Sequence, residues 1–441
     1  MARNSCTHMI IEDFERKVLT YRWVVFWVMA VAYIFVYFHR LCPAVVAVDL
    51  QRDFGSSGAL TGLMASAYFY PYAVMQFPAG LLVDSLGPRI TVTVSLLVAA
   101  LGSLLFGFSP NMEIAVLSRI VVGLGVSMVF IALMKLNSQW FRVREFAFVT
   151  GLVILMGGVG ALTAATPLAL MTTWLGWRMS FQAIAAGTLL IAVLVWLLVR
   201  NKPQDIGWPP ISEFEDGATT LGKAPVQIPL WEGARQVATD RHFWPVAIWF
   251  FTLTGVFFSF GGLWAGHFLG DVYGLSPTEK GNVLSMIAVG LIVGSPLLSW
   301  VSDKILFSRK KVLMLSSAII VAEMLLFNLV PSALPIWSLY GIIFVFSVFS
   351  SAVVVIGFTT TKELFPLEIA GTSVGAVNLF PFLGGAMMQP FLGWLLEQYP
   401  RSASGTYGLD GYKAMFLTLL IISIIALLST FFMKETFPGK R

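Results

Sequence analysis

Charge is scarce in this chain, because Asp, Glu, Lys and Arg together make up only 12% of its 441 residues. Soluble domains carry about 25% charged residues, so the composition excludes a soluble protein. The 57% of hydrophobic residues and the mean hydropathy of +0.83 are typical of a chain that crosses a membrane many times. Cysteine is also scarce. Cys6 and Cys42 fall in different layers of the topology predicted below, so neither a disulfide framework nor a zinc site is expected.

Other absences narrow the possible functions. The sequence contains no phosphate-binding loop, no metal-ligand cluster and no nucleophile–base pair, so we expect no ATP-driven step, no catalysis and no cofactor. The net charge of +5 does not indicate nucleic-acid binding, because the basic residues lie between apolar runs and not in a patch with aromatic residues. The first twenty residues contain Glu12, Asp13 and Glu15 and lack a small-residue cleavage site. We therefore expect no signal peptide, and the first apolar run directs insertion.

Twelve apolar runs are present, each long enough for a helix to cross the roughly 30 Å hydrocarbon core. They cover about 21–48, 57–80, 90–109, 114–137, 145–170, 179–199, 243–268, 281–302, 311–330, 334–358, 367–395 and 412–433. The pattern predicts an all-α membrane protein of twelve transmembrane helices in two six-helix bundles. The predicted divisions are an N-terminal segment at 1–20, a first bundle at 21–200, a linker at 201–240, a second bundle at 241–433 and a tail at 434–441.

Lysine and arginine predict the orientation of the chain in the membrane. If both termini are cytoplasmic, the outer loops keep few basic residues, and nearly all the others lie inside. The outer ones are Arg52, Arg178, Lys280, Arg401 and Lys413. Such an asymmetry is a positive-inside signal, so both ends are expected on the cytoplasmic side of a plasma membrane of the bacterial inner type.

The first apolar run contains a cation in its outer half, Arg40. Tyr33, Tyr37 and Arg40 follow an i, i+4, i+7 spacing, so two phenols and the guanidinium share one helix face. A charge at that depth costs about 2.5–3.5 kcal/mol on insertion scales and usually faces protein or water. Two interpretations stay open. Arg40 snorkels to the outer headgroups or clamps backbone carbonyls, or it lines a solute cavity and binds an anion, which we favour.

A loop motif ends the second run, Gly80-Leu-Leu-Val-Asp84-Ser-Leu-Gly87-Pro-Arg89. We expect Gly80 to let neighbouring helices approach closely, Gly87 to permit a tight turn, and Asp84 to pair with helix N-termini or with basic residues across the bundle interface. A weaker copy after the eighth run has Asp303 in the corresponding place. One pattern at the same place in each half indicates an internal repeat.

A second motif, Arg119-Ile-Val-Val-Gly123-Leu-Gly125, opens the fourth run. With both motifs and the six-plus-six layout, the chain resembles the major facilitator superfamily over essentially its whole length. The resemblance implies two pseudo-symmetric bundles that rock about a central site and expose it to each side in turn. It also implies that the motif residues govern this rearrangement and do not bind the solute. They are Gly80, Asp84, Gly87, Arg89, Arg119, Gly123, Gly125 and Asp303.

Within that superfamily the chain is similar to the organophosphate:phosphate antiporters and the related anion symporters. The likeness lies in the string 200–213 after the sixth run and in 363–372 before the eleventh, with Leu383-Gly384-Gly385 inside the eleventh. It implies that Arg40 is the phosphate-binding arginine of the first helix. By the same likeness Tyr72 is a cavity tyrosine and Lys135 is a basic residue late in the fourth helix.

Three positions depart from that likeness. The second phosphate-binding arginine, in the seventh helix, would fall near Ser259, the histidine of the fifth helix near Met156, and a lysine of the second helix at Gln76. Two arginines can clamp a phosphate dianion between the bundles, and one cannot. A singly charged carboxylate or a zwitterion therefore suits this chain better than a phosphate ester.

Further residues are candidates for the wall of the solute site. Tyr68 and Tyr72 share a helix face and either hydrogen-bond a solute or serve packing. Gln76, Lys135, Trp264 and Asn378 are additional candidates for substrate binding. Lys135 either lines the cavity near its cytoplasmic mouth or snorkels at the end of its helix. The Phe-rich tenth and eleventh runs indicate helix packing and not a cofactor site.

Ionisable groups that would carry a proton are few. The spans that line the cavity in this superfamily contain no Asp or Glu at mid-membrane depth, and His39 and His267 are the titratable groups there. Glu323, in the ninth run, is the one deep carboxyl group. We interpret it as structural or protonated, with a role in proton coupling as the alternative. Exchange or facilitated diffusion is therefore favoured over proton symport.

The sequence thus predicts a secondary active or facilitative transporter of a small organic anion or zwitterion, with Arg40 as the anion-binding residue. The protein is expected to meet its solute and membrane lipids, to bind no nucleic acid and to act as a monomer. The alternatives are a sugar-phosphate/phosphate exchanger, a dipeptide or amino-acid carrier, and a membrane solute sensor that keeps the transporter fold.

Overall fold

The computed structural model describes residues 2–142, 145–211, 230–366, 369–402 and 405–437. In the first half of the chain the helices are α1 (Ala2–Leu41), α2 (Pro43–Phe54), α3 (Gly58–Ser66), α4 (Phe69–Leu86), α5 (Pro88–Gly107), α6 (Met112–Val126), α7 (Val129–Trp140), α8 (Phe146–Thr163) and α9 (Thr166–Leu198). In the second half they are α10 (Leu230–Thr239), α11 (Phe243–Val256), α12 (Ala265–Tyr273), α13 (Pro277–Trp300), α14 (Arg309–Leu329), α15 (Ile336–Ser350), α16 (Phe358–Leu364), α17 (Ala370–Val377), α18 (Leu379–Glu397) and α19 (Leu409–Phe432). Wider π-helical turns join α11 to α12 (Phe257–Trp264), follow α13 (Val301–Leu306) and precede α16 (Val353–Gly357).

In the described residues the helices form twelve segments of the kind that crosses a membrane. Within the described ranges, ten continuous helical stretches are long and apolar enough to span a membrane. One of them, Phe148–Leu198, contains two crossings, because Gly176 turns the chain with a φ of 74° that side-chain-bearing residues rarely adopt. The pair α3 and α4 forms the remaining crossing. Its sequence contains tyrosine and proline and is less apolar than the ten stretches. The predicted all-α fold of twelve helices is confirmed. Of the predicted linker at 201–240, residues 212–229 lie outside the described residues, and its last part contains α10.

Corresponding helices make corresponding contacts in the two halves of the chain. In the first bundle, α1 packs against α8, and α5 packs against α9. In the second, α11 packs against α18, and α14 packs against α19. The first crossing thus meets the fifth as the seventh meets the eleventh, and the third meets the sixth as the ninth meets the twelfth. This is the pseudo-symmetry that the repeated loop motif predicts.

The bundles meet at a seam that is tightest on the face opposite the chain termini, which we call the distal face. There α3 packs on α18 and α2 on α12, with glycines at the closest points. A Cβ added to Gly266 would overlap the main chain at Ala44, and one added to Gly58 or Gly393 would overlap the other's carbonyl oxygen. Small residues allow such backbone contact between membrane helices.

Hydrogen bonds between the bundles reinforce the seam on the distal face. Gln51 donates to the Tyr407 hydroxyl at 2.6 Å, and the main-chain N–H of Gly58 donates to Glu397 at 2.7 Å. On the face that carries the termini, which we call the terminal face, ion pairs such as Arg22–Glu145 join helices of one bundle. In this structure the distal side of the seam is closed.

Candidate anion-binding site

Arg40 lies in the last turn of α1, where the two bundles face each other. Only 7% of its surface is exposed. The centre of its guanidinium lies 4.7 Å from the ring centroid of Tyr37 and 5.1 Å from that of Tyr72, both in the first bundle. Phe258 and Phe382 of the second bundle lie at 5.7 and 5.3 Å. Four rings from both bundles therefore enclose the cation, and we call Tyr37, Tyr72, Phe258 and Phe382 the aromatic cage.

The cation in this cage has no anionic counterpart in the part of the chain that the structure describes. None of the ion pairs there includes Arg40, and no main-chain oxygen accepts a hydrogen bond from it; its Nε has no partner. Cation–π contacts of about 0.5–2 kcal/mol each replace only part of the lost hydration of a guanidinium. Because Arg40 is buried at the seam, it neither reaches the headgroups nor clamps a carbonyl, and the first interpretation of this residue does not describe its surroundings.

The predicted face of the first helix is formed. The rings of Tyr33 and Tyr37 meet at 5.6 Å, and Tyr33 also packs on Phe130 at 5.4 Å. Tyr37 lies directly over the guanidinium, whereas Tyr33 supports Tyr37 from the next turn. The i, i+4, i+7 spacing therefore places one phenol against Arg40 and a second one behind it.

Tyr68 stacks on Tyr72, and the hydroxyl groups of both tyrosines interact with the Arg40 guanidinium. The two rings are stacked with centroids 5.6 Å apart, and the Tyr68 hydroxyl donates to the main-chain oxygen of Val36 at 3.2 Å. On its other side Tyr68 carries the guanidinium of Arg119 at 5.2 Å. Tyr68 thus interacts with two buried cations, Arg40 at the seam and Arg119 inside the first bundle.

Gln76 and Asn378 form a polar link across the seam beside the cage. The amide nitrogen of Asn378 lies 3.2 Å from the side-chain oxygen of Gln76. Gln76 in turn donates to the main-chain oxygens of Tyr72 and Ser127 at 3.4 Å. The two residues were predicted separately as wall candidates, and the structure brings them together.

Two other candidates for substrate binding lie elsewhere. Lys135 forms an ion pair with Asp84 near the terminal face, and Trp264 donates to the main-chain oxygen of Gln389 at 3.1 Å inside the distal seam. Neither is among the side chains around Arg40. The expectation that Asp84 pairs across the bundle interface is wrong, because Lys135 belongs to the same bundle.

The loop motifs hold helix ends together within each bundle. Gly87 adopts a φ of 80°, as a tight turn requires. Arg89 donates to the main-chain oxygen of Trp196 at 2.6 and 2.9 Å and packs on its ring. Asp303 pairs with Arg309, which also bonds Glu363 at 3.3 Å. The close approach expected at Gly80 is wrong, because an added Cβ there would meet no described atom within 4 Å.

Gly123 and Gly125 provide the close approach that Gly80 does not. A Cβ on Gly123 would overlap the main-chain oxygen of Tyr68, and one on Gly125 would overlap the main chain of Ala99. These glycines let α6 pack against the second and third crossings, and Gly123 thereby fixes the backbone that carries Tyr68. The gating role of the motif residues stays a prediction.

His39 and Glu323 were named for proton coupling. His39 is buried, and its Nε2 lies 3.2 Å from the Ser103 hydroxyl inside the first bundle. Glu323 is 7% exposed, and neither of its carboxyl oxygens has a hydrogen-bond partner among the described residues. A buried carboxyl without partners is costly in its charged form. This environment fits the protonated form, and the coupling role remains untested.

Sequence reasoning missed the second bundle's half of the cage. Phe382 lies in a Phe-rich run that was assigned to helix packing, and Phe258 adjoins Ser259, where a second arginine was sought. The sequence did contain one indication, because the stretch around Ser259 has phenylalanines and no cation. Without a second arginine, the wall that faces Arg40 consists of aromatic rings.

Two helical bundles with a buried cation at their seam define a polytopic membrane transporter, which moves its solute and does not transform it. The chain belongs to the Major Facilitator Superfamily, which matches residues 25–387 and 263–441.

Several proteins of this kind are similar to the chain. A glycerol-3-phosphate transporter of Bacillus subtilis is 24% identical over 80% of this chain and 81% of its own. A D-galactonate transporter of Escherichia coli O6:H1 is 25% identical over 82% of this chain and 86% of its own. A hexuronate transporter of Bacillus subtilis is 26% identical over 88% of this chain and 91% of its own. The crystal structure of a bacterial homolog of the human lysosomal transporter Spinster, inward-facing and unoccupied, has a TM-score of 0.72 at 17% identity and covers 93% of this chain and 96% of its own. This last likeness concerns the fold alone.

Proposed function

We propose that the protein carries a small organic anion across a plasma membrane, with Arg40 as the group that binds the anionic end. The observation that supports this most is the burial of a guanidinium at the seam with no carboxylate among the described residues to balance it. A transported anion supplies the missing charge. The solutes after which the similar transporters are named, glycerol 3-phosphate, D-galactonate and hexuronate, are also anions.

The proposed orientation places both termini and the terminal face in the cytoplasm. The distribution of lysine and arginine supports it. The distal face is then the outer one, and its seam is closed in this structure. We take the monomer as the working unit, because both walls of the site come from one chain.

In the transport cycle that we propose, the anion replaces rings of the aromatic cage at the guanidinium. Ion pairing in a water-poor site is stronger than in solution, so the loaded site holds the two bundles together. The distal glycine contacts then open, and the terminal side closes. Tyr37 and Tyr72 offer hydroxyl groups beside the cation, and Gln76 and Asn378 change partners as the seam moves.

Counterflow in proteoliposomes tests this function. The panel contains monocarboxylates, hexuronate, dicarboxylates, glycerol 3-phosphate and dipeptides. For the acid that is transported, Arg40→Gln is expected to weaken binding at least about tenfold and to abolish counterflow, because a charge-assisted hydrogen-bond pair is lost. Arg52→Gln is the matched control, since Arg52 is 75% exposed on the distal face. Size-exclusion and thermal-denaturation profiles show whether each variant is folded.

Three outcomes separate the alternatives. Counterflow that is unchanged in Arg40→Gln overturns the proposed site. Exchange of glycerol 3-phosphate for inorganic phosphate, dependent on Arg40, favours a sugar-phosphate exchanger, which the glycerol-3-phosphate relative supports as the second candidate. Binding of a solute without any flux favours a membrane sensor over a transporter.

A further inference from the structure

The wall that faces Arg40 from the second bundle is a continuous set of phenyl rings. Phe258 and Phe382 are stacked with centroids 6.5 Å apart, and Phe69 of the first bundle closes the set at 4.8 Å from Phe258. Tyr72 meets Phe382 at 4.5 Å. A solute whose anionic end is held by Arg40 therefore places its body against hydrocarbon.

Few hydrogen-bonding groups of the described residues lie at that wall, and some of them are already paired. Asn378 is paired with Gln76, and the amide nitrogen of Gln389 donates to the main-chain oxygen of Phe258 at 2.9 Å, behind the ring. Within the described residues, the Ser259 hydroxyl and the side-chain oxygen of Gln389 are buried without partners. A polyhydroxylated body needs a partner for each hydroxyl that it buries, since an unpaired one costs about 1–3 kcal/mol.

The charge at the site also limits the solute. In the described residues, one guanidinium is enclosed by the cage, and Lys135 is held by Asp84 away from it. One cation balances one negative charge, and a second charge on the solute would face the phenyl rings of Phe258 and Phe382.

We propose that the site takes a monoanion with an apolar body, such as an aryl, alicyclic or branched aliphatic monocarboxylate, in preference to a sugar acid or a phosphate ester. This inference rests on the proposed function, because it assumes that Arg40 binds the anionic end. It separates this chain from the similar D-galactonate and hexuronate transporters, whose named solutes are polyhydroxylated. Aliphatic burial lowers a dissociation constant about fourfold per methylene.

A matched pair of acids tests the inference on the full chain. Cyclohexanecarboxylate and glucuronate each carry one carboxylate on a six-membered ring, and they differ mainly in hydroxyl groups. Binding is measured by thermal shift and by inhibition of counterflow, with glycerol 3-phosphate as the phosphate arm. We expect cyclohexanecarboxylate to bind at least about tenfold more tightly than glucuronate, and affinity to rise from propanoate to hexanoate.

Variants of the ring wall show whether these residues set the preference. Phe382→Asn is expected to reduce the preference for cyclohexanecarboxylate by about tenfold, because it replaces a ring by an amide next to the bound body. Phe382→Leu keeps the wall apolar and is the matched control, which is expected to retain the preference.

Failure of the inference and failure of the proposed function look different. The apolar-body inference is overturned if glucuronate or glycerol 3-phosphate binds more tightly than cyclohexanecarboxylate. If that binding is lost in Arg40→Gln, the proposed anion transporter still stands. Both the inference and the proposed function are overturned if the acids bind Arg40→Gln as tightly as the native protein. They are also overturned if no acid of the panel binds.

Discussion

The side chain of Arg119 donates a hydrogen bond of 2.7 Å to the main-chain oxygen of His39. In a continuous helix this oxygen would accept from the N–H of residue 43, but Pro43 has none, and the first crossing breaks between α1 and α2. Arg119 therefore satisfies a carbonyl that the proline leaves without its helical donor, one residue from Arg40. The same guanidinium packs on Tyr68, so it connects the break in the first crossing to the ring that stacks on Tyr72 of the cage.

Removal of this bond is expected to destabilise the first bundle. Arg119→Leu leaves a buried carbonyl without its strong donor, which costs about 1–3 kcal/mol. Thermal denaturation in detergent measures the loss. The double variant with Pro43→Ala provides the control, because an alanine N–H can reach the His39 oxygen. Arg119→Leu is expected to cost less in that background, and an equal cost in both backgrounds would contradict the role of the proline.

The ion pair between Lys135 and Asp84 is expected to contribute little to binding. Their side chains are 30% and 69% exposed, and exposed pairs are worth about 0–1 kcal/mol. Lys135→Gln should therefore lower stability by less than about 1 kcal/mol and leave the dissociation constant of the transported acid within about twofold. Titration calorimetry of the purified variant measures that constant. A tenfold weaker affinity in Lys135→Gln would indicate that Lys135 takes part in solute binding. Asp84→Asn breaks the same ion pair and is the control variant.

A bulkier residue at Gly266 is expected to open the distal seam. A Cβ at this position overlaps the main chain at Ala44, so Gly266→Val cannot close the seam as the native chain does. We expect faster alkylation of a cysteine at Ala165, 3% exposed on the first-bundle side of the seam, in a cysteine-free background with a maleimide added from the distal side. Gly270→Val is the matched control on the same helix, since a Cβ there makes only ordinary contacts. Equal labelling rates in the two variants would speak against the glycine contact as the closing surface.

The pairing of Glu145 with Arg22 is expected to make stability depend on acid pH. Burial raises the pKa of Glu145, but hydrogen bonds from Arg22 at 2.7 and 3.1 Å and from the Arg142 N–H outweigh it and hold this pKa below its ordinary value. A lowered pKa favours the folded state above about pH 4.3, the ordinary value for Glu, and this contribution is lost as the pH falls through the folded-state pKa.

The variant Glu145→Gln should accordingly melt at a lower temperature than the native chain at pH 7, and the difference should shrink below about pH 4. Melting temperatures across that range, with Glu113→Gln as an exposed control, give the measurement. A difference that is the same at every pH would show that charge does not carry the effect.

Glu323 is expected to tolerate loss of its proton-binding capacity. Since neither oxygen has a described partner, Glu323→Gln replaces an uncharged carboxyl by an uncharged amide of the same shape, and counterflow should stay within about twofold. Counterflow at an imposed pH gradient checks this. If the variant loses a response to the gradient that the native protein shows, Glu323 carries protons.

Much of the fold follows from composition alone, because hydrocarbon tolerates few structures other than apolar helices. The face of Tyr33, Tyr37 and Arg40 also follows from helical spacing, which acts over a few residues. The Gly176 corner divides the fifth and sixth crossings close to where the sequence separates them. These features depend on neighbours along the chain.

The cage could not be predicted, because it depends on how two bundles meet. Nothing local to Phe258 or Phe382 distinguishes a ring over a guanidinium from a ring in a helix contact. Lys135, which pairs with Asp84, lies 51 residues away from it, and Asn378, which bonds Gln76 across the seam, lies 302 residues away. Only the packed structure selects these partners. At Gly80 the sequence predicts a close helix contact that the structure does not contain, because a glycine in a family motif need not mark such a contact.

The corner at Gly176 has a practical consequence. Because the fifth and sixth crossings follow one another without an intervening loop, an epitope tag or a protease site placed there would interrupt both helices. The turn at 331–335, between α14 and α15, offers a connection outside regular helix on the same face, and a handle for imaging or purification belongs there.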